Sequence, residues 1–577
     1  MGARMPGRRP IAAAAGLLAV WACTSVNPAT GRREIVLMSP ADERAIDEKA
    51  AEQIEAQLGI VANPELVAYI QAIGDALAEH SPRHDIDYVF QVVEAEEPNA
   101  FALPGGHVYV SRGLLTVANS EAEIANVLGH EIGHVAARHA ARQQAHVQTL
   151  GLATLLSDLL SGGAEEQPDS ERISGHFIAR YARNQEREAD RIGQDLAIAA
   201  GVDPSGLARF MATLDNLTRI TQGFSTPDSY FATHPAARER MLEATTRAQG
   251  EVWRAPIGER REWKPGLPVA TTREEFLDRI EGIAVGRPAS EGVFVGERFL
   301  HPDLDFSLRF PHGWKLDNQS SQVVGLSPRR DGVVLLQLDS PGEDPVAAAR
   351  AYAEREQLHL ENGEAIRVGG LPGFRAEAVV PTSYGMTHAE ITWIAHAGRV
   401  YRLIAGIEPG TLPKYGGVFR KFSHSFRPLL PEERAEITEL RLRTAVVQPG
   451  ESVEAFAERT GNEWNPFYTA VVNGLAVGSP LPSGARLKIA RREPYAPAAR
   501  EPEASVGGGA GPEPSRTLRT ASTTSRWIAP LVATMPRFAS SVRPRPKSSC
   551  RPSTSLTTPP AHSTTRLPAA WSQIFSR

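Results

Sequence analysis

Two histidines, His130 and His134, stand four positions apart with Glu131 between them in the run His130-Glu131-Ile132-Gly133-His134. On a helix, residues four apart lie about 40° from one another around the axis, so both imidazoles project toward one point where a metal ion can bind. Glu131 beside them can take a proton from a water whose pKa a zinc ion lowers toward ~7, which is the chemistry of peptide-bond hydrolysis. A catalytic zinc needs a third protein ligand and one open position. A third histidine ligand ten residues after the first, with a glycine before it, is excluded, because the chain has Ala137 and Ala140 at the two positions concerned. The run Asn184-Gln185-Glu186-Arg187-Glu188-Ala189-Asp190 offers a carboxylate instead. Glu186 and Asp190 are again four apart, so one can bind zinc while the other holds a ligating imidazole from behind. His139 and His146 fit the polar side of a helix and are assigned no role.

The elements that must position these groups are legible nearby. Ser120 with Glu123 three residues on forms a capping box, and the helix it starts runs through Ile124, Val127, Leu128, Ile132 and Val135. A second helix is predicted over residues 178–200, ended by Gly201. Ahead of both, residues 39–80 carry apolar residues at helical spacing, and Asp87 to Val93 alternates as a strand. The turn in Asn99-Ala100-Phe101-Ala102-Leu103-Pro104-Gly105-Gly106 leads into another strand at Val108-Tyr109-Val110. Leu150 to Leu160 is apolar but short, and reads as a lid, a membrane-facing element or a packed surface helix.

These motifs, in this order, resemble the HtpX/BepA/LoiP-like bacterial zinc metallopeptidases, gluzincins related to the CAAX prenyl proteases. His130 to His134, Glu186-x-x-x-Asp190 before Gly193, the Asn99 to Gly106 run and Val110-Ser111-Arg112-Gly113-Leu114-Leu115 carry the resemblance over about residues 30 to 250. It implies one zinc per chain held by His130, His134 and Glu186, Glu131 as general base, and Asp190 behind a ligand. It also implies that the strand at Val108, Tyr109 and Val110, with Asn99, borders the cleft and pairs with an extended substrate. Thr233-His234-Pro235, with Arg240 downstream at the substrate, resembles the family's later His-Pro motif. There the histidine either stabilises the oxyanion or occupies the open metal position as a latch.

The rest of the chain frames this site. Among 577 residues, 42% are hydrophobic and the net charge is −5, an ordinary globular balance without the basic face that nucleic-acid binding requires. Only Cys23 and Cys550 occur, which excludes a disulfide framework, a cysteine zinc site and a thiol protease. Residues 1–23 read as an export signal: Arg4, Arg8 and Arg9 precede a short apolar run ending Val20-Trp21-Ala22-Cys23, which resembles a lipobox. Lipidation of Cys23, cleavage by an ordinary signal peptidase and an uncleaved anchor are the alternatives.

The expected fold class is multidomain α+β. A mainly helical peptidase domain with a small edge sheet (24–250) is followed by a linker (251–290). Then come a small α+β domain (291–430) with a PsbP/Mog-like Phe306 to Pro311 and Gly313-Trp314, and a LysM-like βααβ module (431–490). A low-complexity tail (491–577) ends the chain. The LysM resemblance implies peptidoglycan as a partner, and the peptidase resemblance implies misfolded or misassembled envelope proteins as substrates. Together they describe a lipid-anchored endopeptidase of the periplasm and outer membrane. The alternative is a chaperone-like or peptidoglycan-binding envelope protein that keeps the scaffold without turnover.

Overall fold

The computed structural model describes residues 24–496 except 37, 144–180, 221–229, 231–233, 235–236, 251–261, 265–266, 269, 271, 320–321, 383–384 and 408–411. The signal with Cys23, the Leu150–Leu160 segment, His146 and most of the tail lie outside the described residues. Among those described, no helix is long and apolar enough to cross a membrane. They form two compact units, one of residues 24–293, 301–303 and 431–496, the other of 294–300 and 304–430.

In the first unit, helices α1 (Pro40–Leu58) and α2 (Pro64–Ala78) open the fold, each begun by a capping side chain (Ser39, Asn63) and a proline in its first turn. A three-stranded sheet follows, made of β1 (Val89–Val93), β2 (Ala100–Ala102) and β3 (His107–Ser111). β3 lies in the middle, parallel to β1 and antiparallel to β2. Helix α3 (Arg112–Val117) leaves β3 directly, and α4 (Glu121–Ala136) carries the histidine pair. Ser120 caps α4 as expected, but the reciprocal bond is displaced by one residue: the Glu123 carboxylate accepts from the backbone N–H of Asn119 rather than of Ser120. Helices α5 (Arg183–Ala199), α6 (Gly206–Ile220) and α7 (Ala237–Gly250) complete the peptidase layer.

Two of the expected boundaries give way. Within the supposed linker 251–290, Arg273–Ile280 is a helix, α8, whose Phe276, Leu277 and Ile280 are buried in the main core, and Ala284–Val285 is a strand, β4. Burying each of those side chains contributes about 1.5–3 kcal/mol, more than a solvated linker would give up. The segment from 431 onward joins the peptidase unit instead of standing apart. Its order is strand β5 (Thr438–Val446), helices α9 (Val453–Thr460) and α10 (Pro466–Val472), and strand β6 (Arg486–Pro494). β5 pairs with β6 on one side and β4 on the other, and Leu442 and Ala490 enter the peptidase core. Regular structure therefore runs to Pro494, past the expected start of the tail. Lys488 on β6 is wholly buried and donates to the carbonyls of Thr116 (2.9 Å), Val117 (3.1 Å) and Ala118 (2.6 Å). It thus caps the carbonyl end of α3, where a cation is favoured.

The second unit is built on a seven-stranded antiparallel sheet in the order 315–318, 323–326, 332–341, 399–407, 385–396, 371–382, 361–368. A helix over Pro345–Arg355 covers Trp393, and an aromatic cluster of Phe299, Phe306, Phe310, Tyr401 and Phe426 packs elsewhere in the unit. The strand signals at 333–338, 391–394 and 400–404 fall within strands of this unit, and that at 306–310 on a strand that ends at Arg309; the unit also gains strands the alternation did not reveal.

Candidate metal centre

Helix α4 is buried on every side, so its polar residues face protein. It crosses α5 at backbone distance, because both helices offer small residues at the crossing. A Cβ on Gly129 would lie 2.9 Å from the Gly193 carbonyl oxygen, one on Gly133 2.9 Å from that of Ala189, and one on Gly193 2.6 Å from the His130 nitrogen. Only at this approach can a carboxylate on α5 reach imidazoles on α4.

The result is a cluster of four ligand atoms from His130, His134, Glu186 and His234, all within 4.8 Å of one another. His134 Nε2 is 2.9 Å from His130 Nε2, which is 3.2 Å from His234 Nδ1; that atom in turn lies 3.1 Å from Glu186 Oε1. Glu186 oxygens stand 3.6 Å from His130 Nε2 and 3.5 Å from His134 Nε2. Donors tetrahedral about zinc at ~2.0–2.1 Å would be roughly 3.3 Å apart, a value these separations bracket. Glu131 Oε1 and His234 Nε2 are buried, 3.5 Å apart, and have no hydrogen-bond partner among the described residues. Nitrogen and carboxylate donors, buried and converging, fit a zinc ion.

The residues behind the cluster set its charge. Asp190 Oδ1 is 2.8 Å from His130 Nδ1, and both Asp190 oxygens accept from Arg240 (2.7 and 2.6 Å). Arg240 also forms an ion pair with Glu186. Arg240, expected to face substrate, is therefore corrected to a buried place behind the ligands, 1% exposed. Burial would raise the Asp190 carboxyl, but Arg240 and His130 outweigh it and hold it well below the usual carboxylate range. Burial likewise opposes ionisation of Glu186, and His234, His130 and Arg240 overcome it, so it is a carboxylate ready to ligate. Burial pushes His134 well below the ordinary imidazole value, with the neighbouring histidines adding to the effect. Glu131 moves the other way: burial, with Glu186 beside it, raises its proton affinity against the pull of His234 and His130. That shift suits a proton acceptor.

Of the substrate-side residues, β3 is corrected. Val108, Tyr109 and Val110 are fully buried and paired on both flanks, so they offer no edge to a peptide. The edge belongs to β2, Ala100–Ala102, because the turn at Pro104 and Gly105 folds that segment back over β3. Asn99, just before β2, is tied through its backbone to Ser111. Ala102 and Leu103 join His134 and Tyr181 in lining a small cavity of about 10 Å³.

Three residues at the site escaped the sequence reading. Tyr181 stacks on the His134 ring (centroids 3.9 Å apart) and Tyr230 on His234 (4.5 Å). His139, assigned no role, is wholly buried with its Nδ1 2.8 Å from His134 Nδ1. Spacing from the motif could have drawn attention to His139; nothing in the sequence pairs the two tyrosines with it.

A helix bearing two histidines and a glutamate, crossed by a second helix bearing Glu186, is the arrangement of the HExxH…ExxxD class of metallopeptidases. Residues 64–248 match the model of peptidase family M48. The beta-barrel assembly-enhancing protease of Yersinia pestis is 29% identical over 248 residues, covering 41% of this chain and 50% of that protein. Metalloprotease LoiP of Escherichia coli is 27% identical over 218 residues, covering 37% of this chain and 83% of the other. The chain thus spans about half the length of the beta-barrel assembly-enhancing proteases it matches. Among solved structures, cyanobacterial PsbP from Synechocystis aligns with 24% of this chain and 95% of its own at 14% identity and a TM-score of 0.20.

Proposed function

We propose that this chain is a zinc-dependent endopeptidase of the bacterial cell envelope, holding one zinc per chain, that hydrolyses peptide bonds of misfolded or misassembled envelope proteins. The observation that carries the reading is the convergence of His130, His134, Glu186 and His234 on one point, beside a Glu131 oxygen that has no hydrogen-bond partner among the described residues. A zinc ion held there supplies a Lewis acid that lowers the pKa of a water and polarises a carbonyl. Glu131 accepts the proton and passes it to the leaving amine, which its raised proton affinity favours. Asp190 and Arg240 keep His130 and Glu186 oriented. An extended substrate adds along the edge of β2, where main-chain pairing gives affinity without sequence demands.

His234 takes the position that a catalytic zinc leaves open, which favours a latch over an oxyanion-stabilising role. Relatives named for β-barrel assembly support the envelope as the place of work. Anchoring through a lipidated Cys23 is the form of attachment we propose, tested by labelling with a palmitate analogue. A glycan-binding role for the LysM-like segment 431–490 is tested by co-sedimentation with purified peptidoglycan.

The deciding experiment measures casein hydrolysis and zinc content together. Glu131→Gln should keep its zinc and lose about 10²–10⁴-fold in turnover, and His234→Ala should keep its zinc and gain basal activity. Normal turnover in Glu131→Gln sinks the mechanism and favours a scaffold that works without hydrolysis. A loss of turnover in His234→Ala replaces the latch with transition-state stabilisation.

A further inference from the structure

His139 comes five residues after His134, which on a continuous helix would place it about 140° around the axis, facing away. The helix does not continue. Ala137 and Arg138 form a turn, and Arg138 adopts a left-handed backbone (φ 54°), uncommon for a residue with a side chain. Arg138 is held there by the Glu43 carboxylate (2.9 Å) and the Met38 carbonyl (2.7 Å). This reversal swings His139 back beneath His134. Its Nδ1 lies 2.8 Å from His134 Nδ1, and its Nε2 3.0 Å from Glu188 Oε2. Glu188 is fixed in turn by Arg142 (2.8 Å), which also reaches Glu34 (3.0 Å).

Two facing Nδ1 atoms need one proton between them, and the surroundings determine which ring carries it. Glu188 can only accept while ionised, so it calls for a proton on His139 Nε2, leaving His139 Nδ1 as an acceptor. His134 must then donate from Nδ1, which leaves the lone pair on its Nε2, the atom 2.9 Å from His130 Nε2 in the cluster. We propose that His139 and Glu188 are positioning residues that lock His134 in its metal-binding tautomer and orientation. The two histidine ligands are thus backed differently: Asp190 supports His130 directly, whereas Glu188 supports His134 through an intervening imidazole. This rests on the reading of His134 as a zinc ligand.

The test is zinc affinity of the purified full chain, measured by competition with a chromophoric chelator, independent of turnover. In His139→Asn the amide oxygen stands close to the position of Nδ1 and can still accept from His134. In His139→Gln the amide lies nearer the position of Nε2 and serves Glu188 instead. His139→Asn should stay within about threefold of wild type, and His139→Gln and His139→Ala should bind zinc ~10–100-fold more weakly. A merely space-filling role would treat the two amides alike, so equal affinities for Asn and Gln overturn the proposal, even where the alanine variant does not fold. Absence of zinc from the wild type overturns the metal site itself.

Discussion

Buried charge occurs in both units of this protein, and the two cases differ in what is left over. In the sheet unit, Arg402 is buried between Asp339, with which it pairs, and Gln337 (2.9 Å), with its guanidinium 3.8 Å above the Tyr352 ring. What is left over there is one donor, the Arg402 Nε–H, which has no hydrogen-bond partner among the described residues and faces no converging group. At the metal centre, burial is as complete, yet donor atoms of four residues converge on one place and Glu131 keeps an oxygen without a hydrogen bond among the described residues. Burial of charge is thus a poor signal of chemistry by itself; convergence of unspent lone pairs is the better one.

Variants that separate the two cases sharpen this contrast. Glu186→Gln should have the largest effect, because a neutral amide replaces a ligating carboxylate. Zinc should be lost on dialysis and turnover with it, while the fold persists; metal analysis showing full zinc after dialysis would remove Glu186 from the ligand set. Asp339→Ala should do the reverse. Leaving Arg402 buried without its partner costs about 3–5 kcal/mol, seen as a lower denaturation midpoint of that unit, with zinc content unchanged. A zinc loss there would break the comparison.

Gly193→Ala tests what holds the centre together. Its methyl group would lie 2.6 Å from the His130 nitrogen, so α4 and α5 must part, at about 1–3 kcal/mol for overpacking. Zinc affinity should fall with stability, although residue 193 touches no metal; unchanged affinity would mean that the helix crossing does not set the ligand geometry. The smallest effect concerns Glu493, held down to about 2 mainly by its hydrogen bond to Arg443, with Arg491 assisting and burial opposing. A depressed carboxylate contributes stability above its unfolded pKa near 4.5, and the contribution fades as pH falls toward 2. At this partly buried site near the surface it amounts to ~1 kcal/mol or less. Wild type and Glu493→Gln should therefore differ in stability at neutral pH and converge near pH 2; a constant difference in acid would mean that charge is not the cause.

Much of the centre was legible because its pattern is local. His130, Glu131 and His134 share one helix, Ser120 caps it, and helical geometry alone brings the two imidazoles together. The strand positions near 90 and 108 were legible too, but not their neighbours: pairing is a long-range property, and β2 folding back over β3 moved the open edge to Ala100–Ala102. Residues 273–280 looked like linker because three apolar side chains in a polar stretch reveal nothing of the core that receives them.

The sequence by itself determined that a metal could sit on this helix, and that a carboxylate four residues from another would join it. Which of the two would ligate was open from spacing, since Glu186 and Asp190 share a helix face. Tertiary structure distinguishes the two, through glycines that let α5 approach α4 closely enough for Glu186 to come near both imidazoles while Asp190 meets His130 from behind. The same holds for His139, whose place depends on a backbone reversal at Arg138 held by Glu43, a residue 95 positions away. Spacing along one helix is read from local geometry; the meeting of two helices depends on side-chain volumes that no local rule contains.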